Sequence, residues 1–297
     1  MPALLDRIGR SESLSGWTLV SPAAVLIGIF GLLPVVMSLV LSFQHSDLLT
    51  PETPWVGLDN YRKLATDPVF VEAIKHTIVY TALFVPGTML VGLFVASAMN
   101  RSVRFISVYR TTAYITMAVS TISQGIIFLW LTDRDYGLVN AALNSVGVQS
   151  QPFLASPTQA LYVIVAMTIW GWTGFSVIVY LAALQGVPVE LHEAAAIDGA
   201  TAFTRFRTIT VPLLGPANLF LVVWLTINAL QLFDEVYATT RGGPLRATTV
   251  IVYYLWDRAF VQFDAGYAAA MAYALFVVIL LITAVQFRVA RKHAHIS

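Results

Sequence analysis

Few residues in this sequence have the type and spacing that chemistry requires. His192 and Glu193 stand together in "LHEAAAIDGA", the opening of an H-E-x-x-H helix in which two imidazoles one turn apart hold zinc and the glutamate activates water. The position for the second imidazole is Ala196, so that metal site cannot form. A phosphate-binding loop needs a lysine after glycine, whereas Lys63, Lys75 and Lys292 follow Arg62, Ile74 and Arg291. The G-x-S-x-G nucleophile turn is not met by "GFSVI" at 174–178. No cysteine is present, which removes disulfides and thiolate metal sites. His45, His76, His293 and His295 fall at the ends of apolar stretches or in the C-terminal tail, where a solvated imidazole is the ordinary reading. These patterns assign no catalytic or metal-ligating residue.

The elements that position the remaining polar groups follow from where charge is missing. Hydrophobic residues make up 58% of the 297 and charged residues 11%, and the mean hydropathy is +0.75, far from the roughly 25% charge of soluble domains. Positions 13–46, 76–100, 111–132, 208–233 and 265–287 contain no Asp, Glu, Lys or Arg, and each exceeds the about 20 residues that cross a bilayer core. The uncharged stretch 136–189 is polar at first and holds one further span, 160–184. An all-α polytopic membrane protein is therefore expected, with six spans at about 17–43, 76–99, 111–132, 160–184, 213–233 and 266–287. The apolar run 247–256 is too short to cross and reads as an external or partly buried helix.

Six spans place both termini on one face. The segments on that face hold ten basic residues (Arg7, Arg10, Arg101, Arg104, Arg110, Arg205, Arg207, Arg288, Arg291 and Lys292) against seven on the other. The positive-inside rule puts residues 1–16, the tail 288–297 and the loop 186–212 in the cytoplasm. The first span is too long for a cleavable signal and lacks a small-x-small site after it, so it is expected to be retained. No acidic, basic or His side chain lies deep within a span, which argues against the charge relay of an ion-coupled secondary carrier. Asp234 and Glu235 come closest. They read either as markers of the outer interface, the plainer assignment, or as part of a pathway.

The loop between the fourth and fifth spans is the exception to this scarcity of charge. In "PVELHEAAAID" Pro188 suits a helix start, Glu190 and Glu193 complement the positive end of the dipole, and alanines propagate the helix. Gly199 allows a turn, and Thr201 is a candidate N-cap for a second short helix. Ala194 and Ala195 offer a smooth surface beside Glu193, while Phe203, Phe206 and Ile209 have a helical rhythm suited to packing back on the bundle. From the residues alone, a docking plug and a loop made helical by alanine both remain open.

"EAAAIDG", nine residues, "I", one residue, "VP" resembles the EAA loop of ABC importer permeases, the membrane subunits of binding-protein-dependent uptake systems, with Val211 where the family usually has Leu. "WVGLDNYRKLATDPVF" (55–70), "TTRGGPLRATTVIVYYLWDRAF" (239–260) and "AGYAAAMAYALFVVIL" (265–280) are similar to the maltose and glycerol-3-phosphate branch of that family. The resemblance implies a coupling helix docked in an ATPase groove, with Glu193, Ala194, Ala195, Asp198 and Gly199 carried over. It implies a second homologous permease, two ATP-binding subunits that hold ATP and Mg, an extracytoplasmic solute-binding protein, and a place for this chain in a bacterial inner membrane. The solute implied is a sugar or related polyol: an oligosaccharide, glycerol-3-phosphate or a glycerophosphodiester.

The spans flanking that loop are the expected pathway. Trp170, Trp172 and Phe175 precede it and Asn228 and Gln231 follow it. Aromatic faces suit sugar rings and amides suit hydroxyls, although a lipid-facing Trp and interhelical amide bonds are the plainer roles for the same residues. A structural or assembly protein would need neither ATPase nor solute. The charge asymmetry generates a direct check on topology. In this cysteine-free chain, a Glu193→Cys variant is expected to react with a membrane-impermeant maleimide from the cytoplasmic face alone, and labelling of intact cells from outside would reverse the orientation.

Overall fold

The computed structural model describes residues 16–47, 50, 52–100 and 106–294. The expected N-terminal cytoplasmic residues 1–15 and the last three of the tail lie outside them. Among the described residues there is no β-strand, only two isolated bridges. The helices are α1 (Gly16–Ser42), α2 (Asp59–Thr66), α3 (Pro68–Met99), α4 (Ile106–Ala118), α5 (Thr121–Leu131), α6 (Leu138–Ser145), α7 (Ala160–Gln185), α8 (Val189–Ile197), α9 (Ala202–Leu213), α10 (Gly215–Leu230), α11 (Asp234–Ala238), α12 (Ile251–Trp256) and α13 (Ala265–Ala294).

The chain divides into two compact units. One comprises residues up to 65 together with 258–273, and the other comprises 66–257 together with 274 onward. In the first, α1 is apolar and exposed along its length, with Leu19, Phe30 and Met37 all more than 60% accessible. Its end is fastened by the "DNYRK" segment. Asn60 Nδ2 donates to the carbonyls of Ser42 and Gln44, both at 2.9 Å, and the Tyr61 and Ser42 hydroxyls meet at 2.8 Å. Lys63 pairs with Asp264 at 2.8 Å and sits 4.2 Å from the centre of the Tyr267 ring.

The second unit is built on α3 and α7, whose facing sides bury Tyr80, Phe84, Ile164, Met167, Val177 and Tyr180, with Leu221 and Leu225 of α10 joining them. Small residues let α3 and α7 approach, as membrane helices commonly require. A Cβ on Gly92 would stand 2.5 Å from Ser176 Cβ and 3.4 Å from its backbone carbon. The Tyr180 hydroxyl donates to Asn218 Oδ1 at 2.8 Å, tying α7 to α10. Asp67 caps α3 through the amides of Val69 and Phe70 and accepts a 2.7 Å bond from Tyr254. The run 247–256 becomes the short helix α12, with Ile251 and Tyr254 buried. Its amide at Ile251 donates to Thr77 Oγ1 at 3.1 Å, and the preceding Thr249 carbonyl meets His76 Nδ1 at 3.0 Å. His76 is therefore engaged rather than simply solvated.

Two expected spans are not single straight helices. The uncharged stretch 111–132 is interrupted: α4 ends at Ala118, and Ser120 turns to an extended backbone (φ −62°, ψ 147°) and caps α5 by accepting from the Ser123 amide. A serine two residues after a helical alanine competes for the helix backbone and restarts it as an N-cap. Helix α10 is bent 66° from α9 at Leu214, where Pro212 and Pro216 limit continuity. Four described helices are long and apolar enough to cross a membrane, and the bent pair, taken as one span, makes up to five. The shortfall from six is the broken third stretch.

The glycine contact generates a stability test. Gly92→Ala is expected to cost about 1–3 kcal/mol by overpacking the α3–α7 seam, seen as a lower midpoint in detergent thermal unfolding. Gly28→Ala, where an added Cβ meets nothing within 4 Å, is the matched control and should unfold like the parent.

Candidate functional site

Two features stand out in the second unit. The first is the loop at 186–213. Pro188 occupies the N-cap with an extended backbone (φ −60°, ψ 130°), so α8 begins one residue later, at Val189, with Glu190 in its first turn. At its end Gly199 adopts φ +77°, Ala200 N donates to Ala195 O at 2.9 Å and Gly199 N donates to Ala196 O at 3.1 Å. This pair of bonds is a Schellman C-cap, which requires a left-handed residue where glycine stands. Thr201 then caps α9 by accepting from the Thr204 amide at 3.2 Å. Arg205 Nη1 reaches back across the turn to the His192 carbonyl at 3.3 Å. The two short helices are thus fixed at both the turn and the side.

Glu193, Ala194, Asp198 and Gly199 are exposed and Ala195 is half-buried. Ile197 and Phe203 are 87% and 72% accessible. Phe203 does not pack back on the bundle as its rhythm suggested, whereas Phe206 and Ile209 are half-buried. The first residues of α9 project beyond the turn, which leaves Phe203 on the outer face with Ile197.

The second feature is a pair of adjoining cavities. One, of about 180 Å³, is lined by Tyr80, Phe84, Thr121, Trp172, Asn228, Gln231, Leu232, Asp234 and Glu235. The other, of about 270 Å³, shares Thr121, Trp172 and Glu235 and adds Gln124, Gly171, Phe175 and Trp224 among its walls. The aromatic rings form a connected series from α3 through α7 to α10. Tyr80 and Phe84 are 5.3 Å apart, Phe84 and Trp172 6.3 Å, Trp172 and Phe175 5.8 Å, and Phe175 and Trp224 6.1 Å.

The interrupted third stretch builds one wall. Gln124 is buried and its Nε2 donates to the carbonyl of Val119 at 2.9 Å and, at 3.5 Å, to that of Thr116, pairing acceptors that the helix break releases. The amide lies against Gly171, where a Cβ would stand 2.3 Å from Gln124 Oε1. A second glycine, Gly125, admits α11: its Cβ would meet Ala238 Cβ at 2.9 Å. That contact holds α11, and so Glu235, beside the cavities. Thr239 Oγ1 closes the helix on the Glu235 carbonyl at 2.6 Å.

Four of the five residues expected in a pathway are here. Trp172 lines both cavities, Phe175 one, and Asn228 and Gln231 the other. Asn228 spends one amide hydrogen on the Trp224 carbonyl at 2.8 Å. Trp170 stands apart, in a mostly aliphatic cavity with Val91, Val95 and Ile169, stacked obliquely on Phe128 at 5.9 Å. Trp170 and Trp172 are two positions apart, about 200° around a helix, so both cannot face one cavity. Sequence reading did not pick Tyr80, Phe84, Thr121, Gln124 or Trp224, and its plainer assignment of Asp234 and Glu235 to an interface missed the cavity they line. The signal that was available is "STISQG" at 120–125, a polar capping cluster inside an apolar run. Among the described residues no group of three or more His, Asp or Glu is close enough to hold a metal.

An all-helical bundle of apolar crossings, with a polar and aromatic cavity among its helices and a capped two-helix loop at one end, defines a multi-pass membrane protein of the solute-permease kind. Residues 88–295 match the family model described as the binding-protein-dependent transport system inner membrane component, and the chain belongs to that family. It is 34% identical to the lactose transport system permease protein of Rhizobium radiobacter over 289 residues, covering 95% of this chain and 96% of the relative. It is 32% identical to the sn-glycerol-3-phosphate transport system permease protein of Agrobacterium fabrum over 280 residues, covering 94% and 95%. Its fold matches a chain in the crystal structure of a bacterial ABC transporter involved in import of the polysaccharide alginate, with TM-score 0.82 over 98% of this chain and 99% of the other at 24% identity.

The helix break supplies a test of the cavity wall. Gln124→Leu leaves the Val119 carbonyl without its partner and is expected to cost about 1–3 kcal/mol. Gly171→Ala displaces the same amide and should lower the unfolding midpoint in the same direction. The double variant should lose less than the sum of the two, because both act on one contact.

Proposed function

We propose that this chain is one permease subunit of an ATP-driven, binding-protein-dependent importer of a sugar or related polyol, with oligosaccharides, glycerol-3-phosphate and glycerophosphodiesters all within that class. In this reading it forms the translocation path with a second homologous permease. Two ATPase subunits, which hold ATP and Mg, grip the loop 186–212 from the cytoplasm, where both termini also lie. An extracytoplasmic solute-binding protein delivers the solute.

The observation that carries the reading is the build of the loop. Glu193, Ala194 and Asp198 are exposed on a short helix that is stiffened by the Gly199 cap and the Arg205 bond. The apolar Ile197 and Phe203 stand outward beside them. A rigid exposed helix with a small-residue face and an apolar rim suits a groove on a partner, and a rigid connection transmits rigid-body motion. The substrate class is supported by relatives whose names specify lactose and glycerol-3-phosphate transport, and by the aromatic and amide lining of the cavities.

The chain's contribution to transport is then mechanical and selective. ATP binding closes the ATPases, α8 moves with them, and α7 and α10, joined to the loop at either end, change their tilt. Access to the cavities alternates without a proton or ion relay. Isolation in mild detergent is expected to bring down an ATPase and a second permease. Glu193→Lys and Gly199→Pro are expected to leave the chain in the membrane, lower solute uptake at least about tenfold and uncouple ATP hydrolysis from the solute. Recovery of the chain alone, or wild-type uptake by either variant in reconstituted liposomes, refutes the docking role.

A further inference from the structure

The cavities have a charge that the proposed class of solutes does not by itself require. Their walls include two carboxylates, Asp234 and Glu235, and no Lys, Arg or His. Asp234 is exposed and Glu235 half-buried, and burial pushes the Glu235 carboxyl up to about 7. Among the described residues neither wall carboxylate forms an ion pair. The rings of Tyr80, Phe84 and Trp172 complete the wall around them.

A half-buried carboxylate with no internal cation is costly to hold ionised, and a cationic ligand offsets that cost. Asn228 and Gln231 supply donors and acceptors for hydroxyl groups, but nothing in either wall would compensate a phosphate or sulfonate. An anion there meets the Asp234 carboxylate and the ionised fraction of Glu235, with no cation in the walls to offset them. A cation gains from both.

Resting on the importer reading above, we propose that the cavity walled by Tyr80, Phe84, Trp172, Asn228, Gln231 and Glu235 takes a polyhydroxylated solute bearing a positively charged amine or quaternary ammonium group, and turns away solutes of net negative charge. The carboxylates are specificity-determining residues. The wider class of sugars and polyols is narrowed by charge: a phosphomonoester such as glycerol-3-phosphate falls outside it, and an amino sugar or a zwitterionic ester whose cation enters first falls within.

The absence of native cysteine gives a test that reads the cavity itself. Thr121→Cys places a thiol in the wall common to both cavities, in membrane vesicles holding the complete transporter. The rates of its reaction with the trimethylammonium-ethyl and sulfonato-ethyl methanethiosulfonates are compared with those of free 2-mercaptoethanol. The cationic reagent is expected to be favoured at least about tenfold beyond its preference for the free thiol, within the range that clefts of one sign produce. Glu235→Gln in the same background should cut that excess severalfold, with Asp234→Asn adding to the loss. Glucosamine should protect the thiol at a concentration at least about tenfold below that needed by glucose 6-phosphate, with glucose between them. An absent excess, an excess unmoved by Glu235→Gln, or protection that fails or follows another order overturns the proposal. Loss of the ATPase from the detergent-isolated complex would instead strike the importer reading, and these rates do not depend on it.

Discussion

In hydrocarbon a backbone amide or carbonyl has no water to turn to, so each interruption of a helix must be repaired by a side chain or must line a cavity. The arrangement of this protein's cavities depends on how that constraint is met. The third apolar stretch stops at Ala118 and restarts at Thr121. Ser120 caps the new helix, and the Gln124 amide takes up the carbonyl of Val119 with a longer reach to Thr116. The repair is possible only because Gly171 leaves room for the amide on the facing helix. A straight helix there would have placed an aliphatic ridge where the wall now offers Thr121 and Gln124.

The same exchange of small residues for backbone approach recurs around the site. Gly92 brings α3 and α7 together, and Gly125 brings α11 onto α5. The first contact sets the spacing of the aromatic series that begins at Tyr80 and Phe84. The second holds Glu235 at the cavity edge. Each is a packing decision made by one missing methyl group, and each places a side chain from a different helix. The site is therefore a product of helix spacing more than of any local motif.

That origin explains what could be read in advance. The spans at 160–184 and 266–287 are visible as absences of charge, and α7 and α13 run through them unbroken. The local structure of residues 188–201 was legible in detail, since its information is local: a glycine at the left-handed position and a threonine at the next helix start. The cavity was only half legible. Trp172 and Phe175 share a face because they are three apart on one helix, a spacing the sequence displays. Tyr80, Trp224 and Glu235 reach the same space from other elements, and no local pattern records which helices become neighbours. Trp170 shows the converse error: nearness in sequence to Trp172 suggested a shared role that helical geometry does not allow.

A separation of tasks follows from these features. The membrane-crossing parts of the second unit are held by apolar burial and a few neutral hydrogen bonds, such as Tyr180 to Asn218 and Gln286 to Thr226, rather than by buried ion pairs. Neutral contacts of this kind cost little to slide past one another when helices tilt, whereas breaking a buried ion pair leaves an uncompensated charge. The loop at the other end is built in the opposite way, with a double-bonded cap and a cross-turn arginine. A stiff handle joined to a bundle whose contacts can be exchanged cheaply moves as a lever, and the bundle responds as a set of rigid helices. Under the proposed function, work applied at α8 would reach the cavities through the axes of α7 and α10.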